Sequence, residues 1–190
     1  AGRFVSVCDP EDVPRFGKLS KQREEFWAGG DRLITGEEAV EYALRGVRDH
    51  ELYEDKTFAP ALEGAQPSEP ILVQHLDVPD TFYYLVPMEK PDGITAPLSV
   101  NGLYGNFQGG QAYKRPVKKL FLDREQVIER LLRDPVELGG KLGRAPLREG
   151  AFCFYPTMVW KPCRESRSPY HPFYMITLGA YTIYVGYDGT

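Results

Sequence analysis

Between residues 35 and 48 apolar side chains recur with a helical period. Val40, Ala43, Leu44 and Val47 stand at i, i+3, i+4 and i+7, one stripe along a helix. Thr35 precedes them and Glu38 follows Thr35 by three, a capping box in which each side chain satisfies an otherwise unpaired backbone N–H. The pattern predicts a helix ending near Arg48. Residues 49–70 carry four Pro or Gly punctuators among many charges and read as a long loop.

The pattern then switches to strands. Ile71 to Leu76 is an apolar run that stops at the turn signal Val78-Pro79-Asp80. Thr81 to Met88 is rich in aromatic and β-branched residues, and Pro91-Asp92-Gly93 is a turn in which Pro presets φ and Gly accepts a positive one. Ala96 to Tyr104 makes a third strand. Gly102 to Gly110 lacks the Gly-Lys-Ser/Thr ending of a phosphate loop and reads as a strand end with hairpin turns.

This order recurs. Asp123 and Gln126 form a second capping pair, and a shift of 88 places Thr35 on Asp123, Val40 on Ile128, Ala43 on Leu131 and Leu44 on Leu132. Pro135 stops this helix where Val47 continues the first. After Gly139, Gly140 and Gly143 come the runs Phe152–Tyr155, Thr157–Trp160, Phe173–Leu178 and Tyr181–Gly186, closed by the turn Tyr187-Asp188-Gly189.

The expected fold class is therefore α+β: two units of a helix plus an antiparallel meander, packed into one compact body. The expected division is a lead-in over 1–34, holding a strand at Phe4–Val7 and a short helix ending near Trp27, then units over 35–113 and 114–190. Internal duplication and independent recurrence of a common motif both produce such a pattern. In order of elements alone, the plan is similar to that of small PepSY-like and cystatin-like modules, with no shared motif to carry residues across.

Composition adds limits. The aromatic richness (12 Tyr, 10 Phe) with 19 Gly and 16 Pro favours strands and turns over a helical bundle. No apolar run approaches the ~18 residues of a membrane span. Net charge is −4, split unevenly: residues 1–110 hold 10 Lys/Arg against 19 Asp/Glu, and residues 111–167 hold 13 against 7. Two solvated faces of one domain account for this. An acidic chain, pI ≈ 5.5, with one small basic cluster at Lys114, Arg115, Lys118 and Lys119 does not look like a nucleic-acid binder. Three cysteines, Cys8, Cys153 and Cys163, without a CxxC spacing point to a reducing compartment, with the cytoplasm ahead of a secreted or periplasmic location. A Cys153–Cys163 bridge is the pairing to check. The first residues, Ala1 to Val5, lack the order of a signal segment and begin without Met, as after removal of a leader or tag.

Candidate chemistry concentrates in Trp160–Tyr174. Trp160, Arg164, Arg167, Tyr170 and His171 are the candidate binding residues: Trp, Arg and Tyr are types enriched at binding surfaces, and three prolines stiffen the segment. Cys163 with His171 as base and Glu165 orienting it is the catalytic alternative, a hydrolase or transferase. His50, His75 and His171 are scattered, no pair has metal-ligand spacing, and no cofactor motif stands out. Trp27 reads as a packing anchor and His75 as a sheet histidine. The leading expectation is a non-enzymatic binding or regulatory protein that takes a protein or peptide partner at the 160–174 loop and neighbouring strand ends. A subunit pairing through a sheet edge, with a homo-oligomer as one outcome, is the third reading.

Overall fold

The computed structural model describes residues 33–78, 80–133, 136–137, 144–145, 156–178 and 181–186. The expected elements at Phe4–Val7 and Phe152–Tyr155, the helix ending near Trp27, the glycine connector, the last turn, Cys8 and Cys153 lie outside them. By its internal contacts the chain divides into two units. One comprises Lys21–Leu120 and Val159–Pro172; the other comprises Ala1–Ser20, Phe121–Met158 and Phe173–Thr190. The fold is α+β, a few helices with mostly antiparallel strands.

In the first unit helix α1 (Gly36–Asp49) opens on the expected box: Glu38 N–H donates to Thr35 Oγ1 at 3.1 Å, and Thr35 N–H donates to Glu38 Oε2 at 2.6 Å. Its most buried positions are Ala39, Ala43, Gly46 and Val47, with Val40 and Leu44 partly covered at the margin. The small residues let the helix lie close to what it covers. A side chain on Gly46 would stand 2.2 Å from the ring of Phe107.

The segment 49–70 is more ordered than its punctuation suggests. Asp55 Oδ1 accepts the N–H groups of Thr57 (2.7 Å) and Phe58 (3.0 Å), and these bonds hold its carboxyl below the usual range. The short helix α2 (Ala59–Leu62) follows, burying Ala61 and Leu62, and then strand β1 (Gln66–Pro67). Pro60 falls in the first turn of α2, where its missing N–H costs nothing, so it marks a helix start.

Strands β2 (Ile71–His75), β3 (Phe82–Lys90), β4 (Gly93–Asn101) and β5 (Phe107–Gly110) pair antiparallel in that order, with β1 also on β3. The register sets Tyr84 opposite Val100, Val86 opposite Leu98 and Met88 opposite Ala96. These six form one core with Ala39, Ala43 and Val47 of α1. Side chains alternate across a strand, so Val73, Tyr83 and Leu85 point to the opposite face, and they are buried too. Gly93 begins β4 at φ +133°, with the carbonyl of Val117 where a side chain would stand. The third strand ends earlier than expected because Asn101 Oδ1 accepts the N–H groups of Leu103 and Tyr104, both at 2.9 Å, and turns the chain. The glycine-rich stretch is only partly turn: Phe107–Gly110 pairs with β4 as β5.

In the second unit, helix α3 (Arg124–Arg133) starts where Asp123 N–H donates to Gln126 Oε1 at 3.0 Å, and it buries Val127, Ile128 and Leu131. Strands β6 (Val136–Glu137) and β7 (Arg144–Ala145) form a short antiparallel pair. Strand β8 (Thr157–Trp160) carries the chain from this unit into the first. Strands β9 (Phe173–Leu178) and β10 (Tyr181–Gly186) form a hairpin in the second unit. The Tyr174 hydroxyl donates to Leu122 O at 2.7 Å, and burial pushes that phenol up to about 12.

Among the described residues no helix is long and apolar enough to cross a membrane.

Candidate recognition loop

Val159 and Trp160 of β8 pair in parallel with Gln74 and His75 of β2, and Leu76 N–H donates to Trp160 O at 2.9 Å. The segment that follows, though late in sequence, therefore belongs to the unit of α1 and β1–β5. The Trp160 ring meets His75 edge-on at 5.4 Å, and His75 lies 5.0 Å from the ring of Tyr83. Burial lowers the His75 pKa, and the nearby Asp77 carboxylate at 3.9 Å acts the other way.

One residue organises the loop. Ser166 is 4% exposed; its hydroxyl accepts the Trp160 Nε1 proton at 3.0 Å and donates to His171 O at 2.5 Å, with Ser168 O at 3.3 Å. Its carbonyl accepts the N–H of Cys163 at 3.0 Å. Ser168 adds a second turn, with its carbonyl accepting His171 N–H at 3.0 Å and its hydroxyl accepting Tyr170 N–H at 3.3 Å. The far end is tied to the sheet, because the buried Tyr83 hydroxyl donates to Pro169 O at 2.7 Å. The Tyr170 hydroxyl reaches the space beside Gly109 of β5. The loop thus lies across the face of this unit's sheet opposite α1. Burial raises the phenol pKa of both Tyr83 and Tyr170.

The predicted residues separate into two groups. Trp160, Tyr170 and His171 are half-buried parts of the framework, while Arg164, Glu165 and Arg167, with Lys161, are exposed. Among the described residues none of these four forms an ion pair. Cys163 is a partly buried free thiol. It and His171 meet the same hub through backbone groups, Cys163 by its N–H and His171 by its carbonyl.

The strand ends beside the loop add apolar surface. Val78, just beyond β2, is 49% exposed, and Tyr104, on the turn that Asn101 caps after β4, is 64% exposed. The register Tyr83 opposite Asn101 and His75 opposite Trp160 puts these ends on one rim of the sheet.

Sequence reasoning did not single out Ser166, Tyr83 or His75 for the loop. The only local signal for Ser166 was its place in a Ser- and Pro-containing turn sequence. The basic segment carries one antiparallel bridge to β4. Val117 exchanges both backbone hydrogen bonds with Ile94 (2.8 and 2.9 Å), and Lys114, Arg115 and Lys118 around it are exposed. No three His, Cys, Asp or Glu side chains among the described residues gather as a metal site.

No model of a known protein family matches the chain, and neither a curated protein nor a solved structure matches it.

Proposed function

We propose that this chain is a non-enzymatic binding or regulatory protein that recognises a protein or peptide partner through the 160–174 loop and the adjacent strand ends. The observation that supports this most is the Ser166 hub. It holds the loop backbone from within, while Lys161, Arg164, Glu165 and Arg167 stand outside in solvent. A loop already in its bound shape loses less entropy on binding, so mixed charges and the exposed Tyr104 and Val78 convert more of their contact into affinity. Arginine and tyrosine are the residue types that dominate such interfaces. The free thiol of Cys163 fits the reducing compartment suggested by the cysteine usage.

A photo-crosslinking side chain placed at position 164, and separately at the exposed positions Glu63 and Lys114, tests this reading in the cell that makes the protein. A discrete protein adduct at 164 that is absent at the other two is the expected result. Its persistence in a Cys163→Ser background separates binding from thiol catalysis. No adduct at 164, or equal adducts at all three, removes the loop as the recognition element.

A further inference from the structure

The two outermost strands of the two units are built in opposite ways. β5, outermost in the first unit's sheet, has four residues, a register shift at Ser99/Val100 on its partner and Gly109 at φ +133°. Short length, a bulge and a twisted glycine are the devices by which proteins keep a sheet edge from pairing with another chain.

β10 has none of them. It pairs with β9 over six consecutive residues, from Tyr181 opposite Leu178 to Gly186 opposite Phe173, without a shift. Its sequence, Tyr-Thr-Ile-Tyr-Val-Gly, contains no charge and no proline. Ile183 and Val185 are buried and fix the face of the strand, while Thr182 is exposed and Tyr184 is 50% exposed. Among the described residues β10 pairs with β9 alone. In an antiparallel strand every second residue turns its N–H and C=O away from the neighbour already present, so this edge presents a row of donors and acceptors.

We infer that β10 pairs antiparallel with β10 of a second copy of this chain about a two-fold axis. The occupant follows from the strand itself. An uncharged edge sets no like charges against each other when it meets its own copy, and it offers nothing to select a charged peptide. A two-fold antiparallel pairing makes the contact self-complementary, the commonest form of oligomer. It also brings the Thr182 and Tyr184 side chains of the two copies together as cross-strand neighbours, the aromatic and hydroxyl pairs that stabilise such strands. The contact is independent of the 160–174 loop. One strand pair is a small interface, so the dimer is expected at micromolar rather than nanomolar concentration.

Sedimentation velocity on the full chain from about 1 to about 200 µM, a range set by that small interface, reads the equilibrium. The wild type moves from the 21.5 kDa monomer toward twice that mass. Tyr184→Lys puts a charge on the exposed face of the edge and removes two symmetry-related cross-strand pairs, which raises the dimer dissociation constant about tenfold. Gln108→Lys on β5 leaves it unchanged. Amide exchange in the wild type gives a reading that needs no variant: those amides of residues 182–186 that point away from β9 slow as concentration rises, and those of 107–110 do not. A monomer throughout the range overturns the inference, as does a dimer that Tyr184→Lys leaves intact. β10 amides that point away from β9 and are already protected at the lowest concentration also overturn it, because another segment then fills the edge.

Discussion

The indole nitrogen of Trp160 donates to the hydroxyl of Ser166 at 3.0 Å, and the same hydroxyl donates onward to the carbonyl of His171. Two polar groups from opposite ends of the loop thus share one buried oxygen. Ser166→Ala takes that shared partner from both, and each hydrogen bond lost costs about 0.5–1.5 kcal/mol. The expected outcome is a lower urea midpoint and faster trypsin cleavage after Arg164 and Arg167. An unchanged midpoint and cleavage rate would mean that the hub does not hold the loop.

Tyr83 ties the other end. Tyr83→Phe removes only the hydroxyl and leaves Pro169 O without its donor, at an expected cost of about 1–2 kcal/mol. Its effect on the loop should be less than additive with Ser166→Ala, since both act on one segment. A double-variant cycle in urea measures the coupling, and full additivity would show two independent anchors.

Several phenols should resist ionisation. Burial raises Tyr83, Tyr84, Tyr170 and Tyr174, the last to about 12. A group raised in the folded state contributes stability below its unfolded value, near ~10 for tyrosine, and loses it as pH climbs through the folded value. Absorbance at alkaline pH should therefore show a late ionisation step from these four phenols, above ~10, that coincides with unfolding. A single step near ~10 for all of them would show the buried phenols to be accessible.

His75 gives a pH dependence of the opposite kind. Its pKa is lowered, so the folded state prefers the neutral ring packed on Tyr83 and Trp160. Stability is full above the unfolded value of about 6.5 and falls as pH drops below it, because the unfolded chain binds the proton more readily. The Asp77 carboxylate offsets part of this loss while it stays charged. His75→Phe keeps an aromatic ring and removes the titration. The fall in thermal midpoint between pH 7.5 and 5.5 should accordingly be smaller in the variant, and an equal fall would assign it to other groups.

Gly46 is a packing requirement of α1. An alanine there places its methyl carbon 2.2 Å from the Phe107 ring, so the helix or β5 must shift. Such overpacking costs about 1–3 kcal/mol. Pairing Gly46→Ala with Phe107→Leu should recover part of the loss in thermal melts. No loss from Gly46→Ala alone would show that the two elements separate freely.

What could be read in advance divides along physical lines. The Thr35–Glu38 box, the Ala43–Val47 stripe and the aromatic strand β3 were legible because their causes lie within a few residues of each other. β5 was partly hidden, since Phe107-Gln108-Gly109-Gly110 looks like a turn until β4 is there to pair with it. The place of the 160–174 loop was not legible at all. It depends on the parallel pairing of Val159 with Gln74, which no local pattern announces. The residue types of the candidate site were visible early, but Ser166, which sorts them into framework and exposed charge, acts only through tertiary contacts.

A preset loop makes one direct prediction about the free protein. Amide exchange followed by NMR should show Cys163 and His171, whose N–H groups donate to Ser166 O and Ser168 O, exchanging at least about tenfold more slowly than unstructured amides. In Ser166→Ala that protection should fall while the amides of β3 and β4 keep theirs. Exchange of Cys163 and His171 at the unstructured rate in the wild type would contradict a loop built in advance for recognition.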